Sequence, residues 1–200
     1  VEMLSAGRPI DGVTLRIVND ARAPLGERHI GEICLRSNSM LTGYFHRDDA
    51  TQTSIRDGWF YTGDLGYVAD GELYVTGRKK DLIIVGGKNV YPQDIELLVE
   101  EVEGIRAGRV VAFGLFDEAA GTEEIAVIAE CEPSDEDGLA QLREDVRRSI
   151  AQRSDVVARV IELVPPRWLI KTSSGKVART ANKDKYLAMV SASPPAQSPT

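Results

Sequence analysis

Three residues in this chain sit in settings suited to chemistry. Asp64 closes the run Tyr61-Thr62-Gly63-Asp64, Arg78 lies in Gly77-Arg78-Lys79-Lys80-Asp81, and Lys176 follows Thr172-Ser173-Ser174-Gly175. A carboxylate on a Thr-Gly-Asp turn can accept two hydrogen bonds from a sugar diol, and a guanidinium can donate a fork of them to phosphate or carboxylate. Together the two suit a nucleotide. Lys176, on a Ser-Ser-Gly loop expected to be flexible, is a compact point charge suited to oxygens that gain charge in a transition state. Each residue also has a plainer explanation: Asp64 satisfying its own turn, Arg78 paired with a surface acid, Lys176 solvated. Only the order and spacing of the whole set favours a site.

Other signatures fail on residue identity. Gly87-Lys88 and Gly175-Lys176 are not phosphate-binding P-loops, because Leu82 and Ile170 stand where a glycine is needed and Asn89 and Val177 where Ser or Thr is needed. No Gly-x-Gly-x-x-Gly fingerprint occurs. Ser173-Ser174-Gly175-Lys176 fits the Ser-x-x-Lys pattern of acyl-enzymes, but the companion Ser-Asp-Asn and Lys-Thr-Gly elements are missing. Cys34 and Cys131 lie far apart in apolar runs and match no metal spacing, so buried reduced thiols are expected and no metal site. His29 and His46, among charged loop residues, read as surface histidines.

Composition sets the frame for these residues. The 200 residues are 42% hydrophobic and 28% charged, which describes a soluble globular chain with one large or two modest cores. A net charge of −7 repels a phosphate backbone, so nucleic acid is not an expected partner. No apolar run reaches the length of about eighteen that reads as a membrane span, and no secretory signal is visible, so a cytoplasmic location is expected. The chain begins at Val1, in patterned sequence and without Met, which suggests a fragment.

The elements follow from periodicity. Residues 13–18, 32–36 and 72–76 read as half-buried strands, the last after an Asp70-Gly71 hairpin turn. Residues 82–85 read as a buried strand. Pro92 opens a helix whose stripe is Ile95, Leu98, Val99 and Val102, with Gly104 as its stop. Residues 110–116, 124–130 and 159–164 are further strands. Ser134 is the expected cap of a helix striped by Leu139, Leu142, Val146 and Ile150, and a last helix ends near Met189. The expected organisation is α+β. Residues 1–79 would be the β-rich end of a larger N-terminal domain, 80–190 a small mobile C-terminal domain, and 191–200 a disordered tail or linker.

Taken in order, Tyr61-Thr62-Gly63-Asp64, Gly77 to Asp81, Gly86-Gly87-Lys88-Asn89-Val90-Tyr91-Pro92 and Lys171 to Arg179 resemble the C-terminal motifs of the adenylate-forming superfamily. That superfamily includes acyl-CoA synthetases, luciferases and peptide-synthetase adenylation domains. The segment Tyr91 to Glu96 is most similar to fatty acyl-AMP ligases. The resemblance implies ATP as the substrate nucleotide, with AMP retained in the acyl-adenylate, and Mg2+ bound mainly by the N-terminal part. It implies a fatty acid substrate, an acyl carrier protein or CoA as acceptor, and the chain's own N-terminal domain as a partner. By position, Asp64 and Arg78 would bind nucleotide, Lys176 would be catalytic, Lys80 would be the hinge, and Gly86, Gly87 and Lys88 would border the pantetheine channel. The chain alone would be inactive. The rivals are an acyl-CoA synthetase and a non-catalytic docking module for a carrier protein.

Overall fold

The computed structural model describes residues 3–192. The chain divides into two compact units, Val1–Asp81 and Leu82–Thr200. The division falls one residue beyond Lys80.

The first unit is a five-stranded antiparallel sheet in which β4 (Trp59–Ala69) is the shared strand. β1 (Val13–Val18) pairs with β2 (Gly31–Ser37), and β2 pairs with β4. β4 also pairs with the short β3 (Ile55–Arg56) and with β5 (Glu72–Arg78). α1 (Asp48–Ser54) precedes β3; neither it nor the full length of β4 is legible as a hydrophobic period. The Asp70-Gly71 turn has both residues at positive φ, 53° and 77°, the twist that a two-residue hairpin requires. The contiguous buried cluster is Val18, Cys34 and Tyr61, with Trp59 against them, and Ile17, Ile33, Leu65 and Ala69 are buried elsewhere in the unit. β4 carries a register shift between Leu65 and Gly66, where β5 crosses closely. A Cβ on Gly66 would collide with the Tyr74 carbonyl and the Ile33 side chain, so only glycine fits.

The second unit is three layers. β8 (Ile105–Asp117) runs antiparallel to β9 (Thr122–Cys131), which runs parallel to β10 (Ala158–Val164). α2 (Pro92–Glu100) and α3 (Glu136–Arg153) cover one face, where Ile95, Val99, Val146 and Ile150 meet Val110, Ala112, Ile125, Val127 and Ala129. Val111, Phe113, Ala126 and Ile128 point the other way, toward Leu169 and Tyr186 of α4 (Arg179–Ala192) and the segment before it. Burial on both faces is why β9 reads as a continuous apolar run rather than an alternating one. A separate hairpin, β6 (Ile83–Val85) and β7 (Lys88–Val90), precedes α2.

Several boundaries differ from the sequence reading. β6 is not a buried strand: Ile83 is enclosed, but Ile84 is half exposed, because a two-stranded hairpin hides only alternate residues. α2 ends at Glu100, and Val102 packs against the core from beyond it. β8 begins at Ile105 through polar residues, because its pairing with Cys131 is a backbone matter. Asp135 caps α3 instead of Ser134; its carboxylate accepts the Gly138 N–H at 2.8 Å. Ser191 and Ala192 belong to α4, while the rest of the expected tail lies outside the described residues.

Both cysteines are free and buried. Burial pushes the Cys34 thiol from 9.0 up to about 11, and burial also raises Cys131. The unfolded thiol therefore ionises first, and the stability contributed by Cys34 is complete below about pH 9 and lost as pH rises through its folded value. At pH 8 an alkylating reagent is expected to spare both thiols in the native chain and to modify both in denaturant. Labelling of native Cys34 at the rate of a free thiol would contradict this burial.

Candidate functional site

In the first unit Asp64 and Arg78 are brought together. Asp64 is not on a turn but inside β4, directly across from Arg78 on β5. Arg78 Nε donates to Asp64 Oδ1 at 2.8 Å, and this contact holds the guanidinium charged even above its usual range. The acid that Arg78 pairs with is thus the other candidate residue. The strand is kinked at Gly63, whose φ is 72°. Around the kink the Thr62 hydroxyl donates to the Ile33 carbonyl at 2.8 Å and accepts the Asp64 N–H at 3.0 Å. Thr62 therefore fixes the backbone from which Asp64 projects. The pair is partly exposed, so it is worth little as a stabilising ion pair, and its second carboxylate oxygen carries no bond to Arg78.

Beside the pair lies a cleft of about 370 Å³ lined by Thr62, Gly63, Arg78, Lys79 and Lys80. Lys79 is committed inside its own unit, to Asp20 at 2.8 Å and Glu32 at 3.4 Å. Those partners raise the lysine's proton affinity, and Lys79 in turn lowers that of Asp20. Lys80 is exposed on the 3₁₀ turn Lys79–Asp81. Three cationic side chains thus line this cleft, two of them ion-paired within the unit, and the Gly63 and Asp64 N–H groups at the kink are taken by Glu32 and Thr62.

In the second unit, Gly86 and Gly87 form the two-residue turn of the β6–β7 hairpin, with φ of 56° and 80°. Nothing lies within 4 Å of a Cβ built on either, so within this unit turn geometry, not crowding, explains both glycines. Gly86 donates to Thr122 Oγ1 at 2.8 Å, tying the turn to β9. Val85, Gly86 and Lys88, but not Gly87, line a cleft of about 510 Å³ completed by Ala151 and by Ser154 to Val157 just beyond α3. Lys176 lines neither cleft.

Lys176 occupies a hairpin that is closed rather than loose. Lys171 and Val177 form a β-bridge, Thr172 N–H donates to the Lys176 carbonyl at 2.8 Å, and the Lys176 N–H donates to Thr172 Oγ1 at 3.2 Å. The expected flexible loop is therefore a tight turn with Gly175 at φ 81°. The Lys176 side chain is exposed, and no hydrogen bond or ion pair holds its ammonium among the described residues. At the base of the turn, Arg179 donates two hydrogen bonds to Glu96 at 2.8 and 3.0 Å and a third to the Ala112 carbonyl at 2.9 Å. Glu96 in turn accepts the Ala112 N–H at 2.8 Å. Buried Glu130 accepts the Leu169 N–H at 2.8 Å. Both Glu96 and Arg179 stand within the recognisable motifs, yet their pairing, like the role of Glu130, has no signal in spacing. Among the described residues no group of three or more His, Cys, Asp or Glu side chains could hold a metal ion, and no helix is long and apolar enough to cross a membrane.

No protein-family model matches the chain. The medium-chain fatty acid–acyl carrier protein ligase JamA of Moorena producens is 35% identical over 92% of this chain and 33% of its own length. A 2-succinylbenzoate–CoA ligase of Listeria monocytogenes is 35% identical over 91% of this chain and 35% of its own. A solved structure from work on the fatty acyl-adenylate ligases of E. coli and L. pneumophila superposes with TM-score 0.81 and 38% identity, over 95% of this chain and 34% of that one. In sequence and in its mixed α+β fold, the chain belongs with the adenylate-forming enzymes. Its similarity extends to the fatty acyl-AMP ligases within them. It spans about a third of the length of these relatives.

Glu96→Ala would leave the Arg179 guanidinium and the Ala112 N–H without their acceptor. It is expected to destabilise the second unit by about 2–3 kcal/mol, whereas the exposed loop change Glu118→Ala stays within about 0.5 kcal/mol. Urea midpoints for the two variants check this; equal midpoints would remove the structural role given to Glu96.

Proposed function

We propose that this chain is the hinge-spanning C-terminal part of a fatty acyl-AMP ligase. The whole protein joins a fatty acid to AMP and then passes the acyl group to the phosphopantetheine thiol of a carrier protein. In the first half-reaction a carboxylate oxygen attacks the α-phosphorus of ATP, the bond to the pyrophosphate oxygen breaks, and pyrophosphate leaves. In the second, the thiol sulfur attacks the acyl carbonyl, its proton is lost to solvent, and AMP departs.

Within that scheme Asp64 accepts the ribose hydroxyls, using its unengaged oxygen and the remaining lone pair of Oδ1. Arg78, already oriented by Asp64, turns its terminal nitrogens to ribose or phosphate. Lys176 bridges the carboxylate and α-phosphate oxygens as charge develops on them. Lys80, on the 3₁₀ turn at the junction of the two units, is the pivot about which the small domain swings. The swing exchanges Lys176 for the Gly86-Gly87-Lys88 turn, which borders the pantetheine channel. Magnesium accompanies ATP in such chemistry, and this reading assigns its holders mainly to the N-terminal part.

The observation that carries this reading is the Lys176 ammonium: exposed, uncommitted among the described residues, and held on a closed hairpin. In the full-length protein, Lys176→Ala is expected to slow ATP- and fatty acid-dependent pyrophosphate release by about 10²–10³, the scale for losing one transition-state donor. Undiminished release would remove Lys176 from the reaction. Supplied with CoA or with a phosphopantetheinylated carrier protein, the wild type is expected to favour the carrier. Comparable thioester formation on CoA would make it an acyl-CoA synthetase. Lys80→Pro restricts the backbone at the junction and is expected to impair one half-reaction more than the other. Equal loss of both would rule out a pivot there.

A further inference from the structure

The Lys176 turn has two legs, Ile170-Lys171 and Val177-Ala178, and one side chain touches both. Asn182, in the first turn of α4, is fully buried. Its Oδ1 accepts the Ile170 N–H at 2.8 Å. Its Nδ2 donates to the Ile170 carbonyl at 2.9 Å and to the Ala178 carbonyl at 2.9 Å. The Ile170 N–H can only donate, so the amide orientation is fixed by its partners. Both amide hydrogens are spent on the hairpin. The legs are also joined directly, Ala178 N–H to the Ile170 carbonyl at 3.0 Å.

No other neutral side chain of this size reproduces that set. An aspartate lacks both donors, an aliphatic residue lacks everything, and a serine at this position can bond back to the i−4 carbonyl of Ala178 but does not span to Ile170. Just outside the legs, the chain is held by other groups: Leu169 by Glu130 and Arg179 by Glu96. Between those two anchors the backbone bonds of the hairpin and Thr172 close the turn, and Asn182 is the side chain from outside it that grips both of its legs around Lys176.

From this we infer that Asn182 is a positioning residue for Lys176, locking the two legs of its hairpin so that the ammonium is presented in one place. This rests on the role proposed for Lys176 above. Preorganisation is the physical content: an ammonium about an ångström from its productive position loses much of its effect on a developing charge, and a hairpin that must order itself first loses rate in the same step.

A double-mutant cycle in the full-length protein tests it. Asn182→Ala is expected to lower kcat for pyrophosphate release by about tenfold to a hundredfold, with KM for ATP and thioester formation from preformed acyl-AMP nearly unchanged. Combined with Lys176→Ala, it should add no further loss, since it acts only through the lysine. Hydrogen exchange should quicken at Ile170, Lys176 and Ala178 in the variant while Val127 and Ile128 of β9 stay protected. Asn182→Ser, which keeps a polar group at the site, should show the same split if the alanine variant folds poorly. An unchanged kcat, a double variant slower than Lys176→Ala by the full single-variant factor, parallel loss of both half-reactions, or faster exchange spreading into β9 would each overturn the positioning role. Wild-type adenylation by Lys176→Ala would instead fail the lysine assignment on which it rests.

Discussion

The guanidinium of Arg179 joins parts of the second unit that are remote in sequence. It binds Glu96 on α2 and the Ala112 carbonyl on β8, and Glu96 closes the ring through the Ala112 N–H. The pair is mostly withdrawn from water, at 21% and 17% side-chain exposure, so leaving either partner alone would be costly. Because Arg179 is also the residue at which the Lys176 hairpin becomes α4, the interaction ties the one uncommitted lysine of interest to a rigid sheet. Asn182 and Glu130 complete the fixing from the other side.

The first unit solves a related problem with fewer resources. Its main buried cluster is small, and its candidate site is built from cross-strand geometry rather than burial. β4 places Asp64 opposite Arg78, the kink at Gly63 turns the strand, and Thr62 spends its hydroxyl holding both sides of that kink. The cleft beside them gathers positive charge in a chain whose net charge is −7. Local concentration of one sign against the overall balance is what a site for an anionic ligand requires. Lys79 is largely neutralised by Asp20 and Glu32 and Arg78 is paired with Asp64, which leaves exposed Lys80 as the cation of this cleft without an ion pair among the described residues.

Some of this was legible beforehand. Alternation marked β1, β2 and β5, and the i, i+3, i+4 stripes marked α2 and α3, because those patterns are local consequences of backbone geometry. The Thr-Gly-Asp segment was misread as a turn. Gly63 and Gly66 are turn-like residues, but one serves a kink and the other a close crossing inside a long strand, and only the partner strands reveal that. The Ser-Ser-Gly segment looked loose because its composition is that of a linker. Its order comes from Thr172, Glu130 and Asn182, of which the last two are remote or hidden in a helix pattern.

The sequence by itself determined the order of the motifs, the alternation of strands and helices, and the place near Lys80 where one compositional grammar gives way to another. Those features depend on neighbours a few residues away. Tertiary structure alone decided that Asp64 answers Arg78, that Glu96 answers Arg179, and that Asn182 grips both legs below Lys176. Except for Asn182's bond to Ala178, these join residues twelve to more than eighty positions apart, and a hydrogen bond depends on distance and angle between atoms, which sequence separation does not encode.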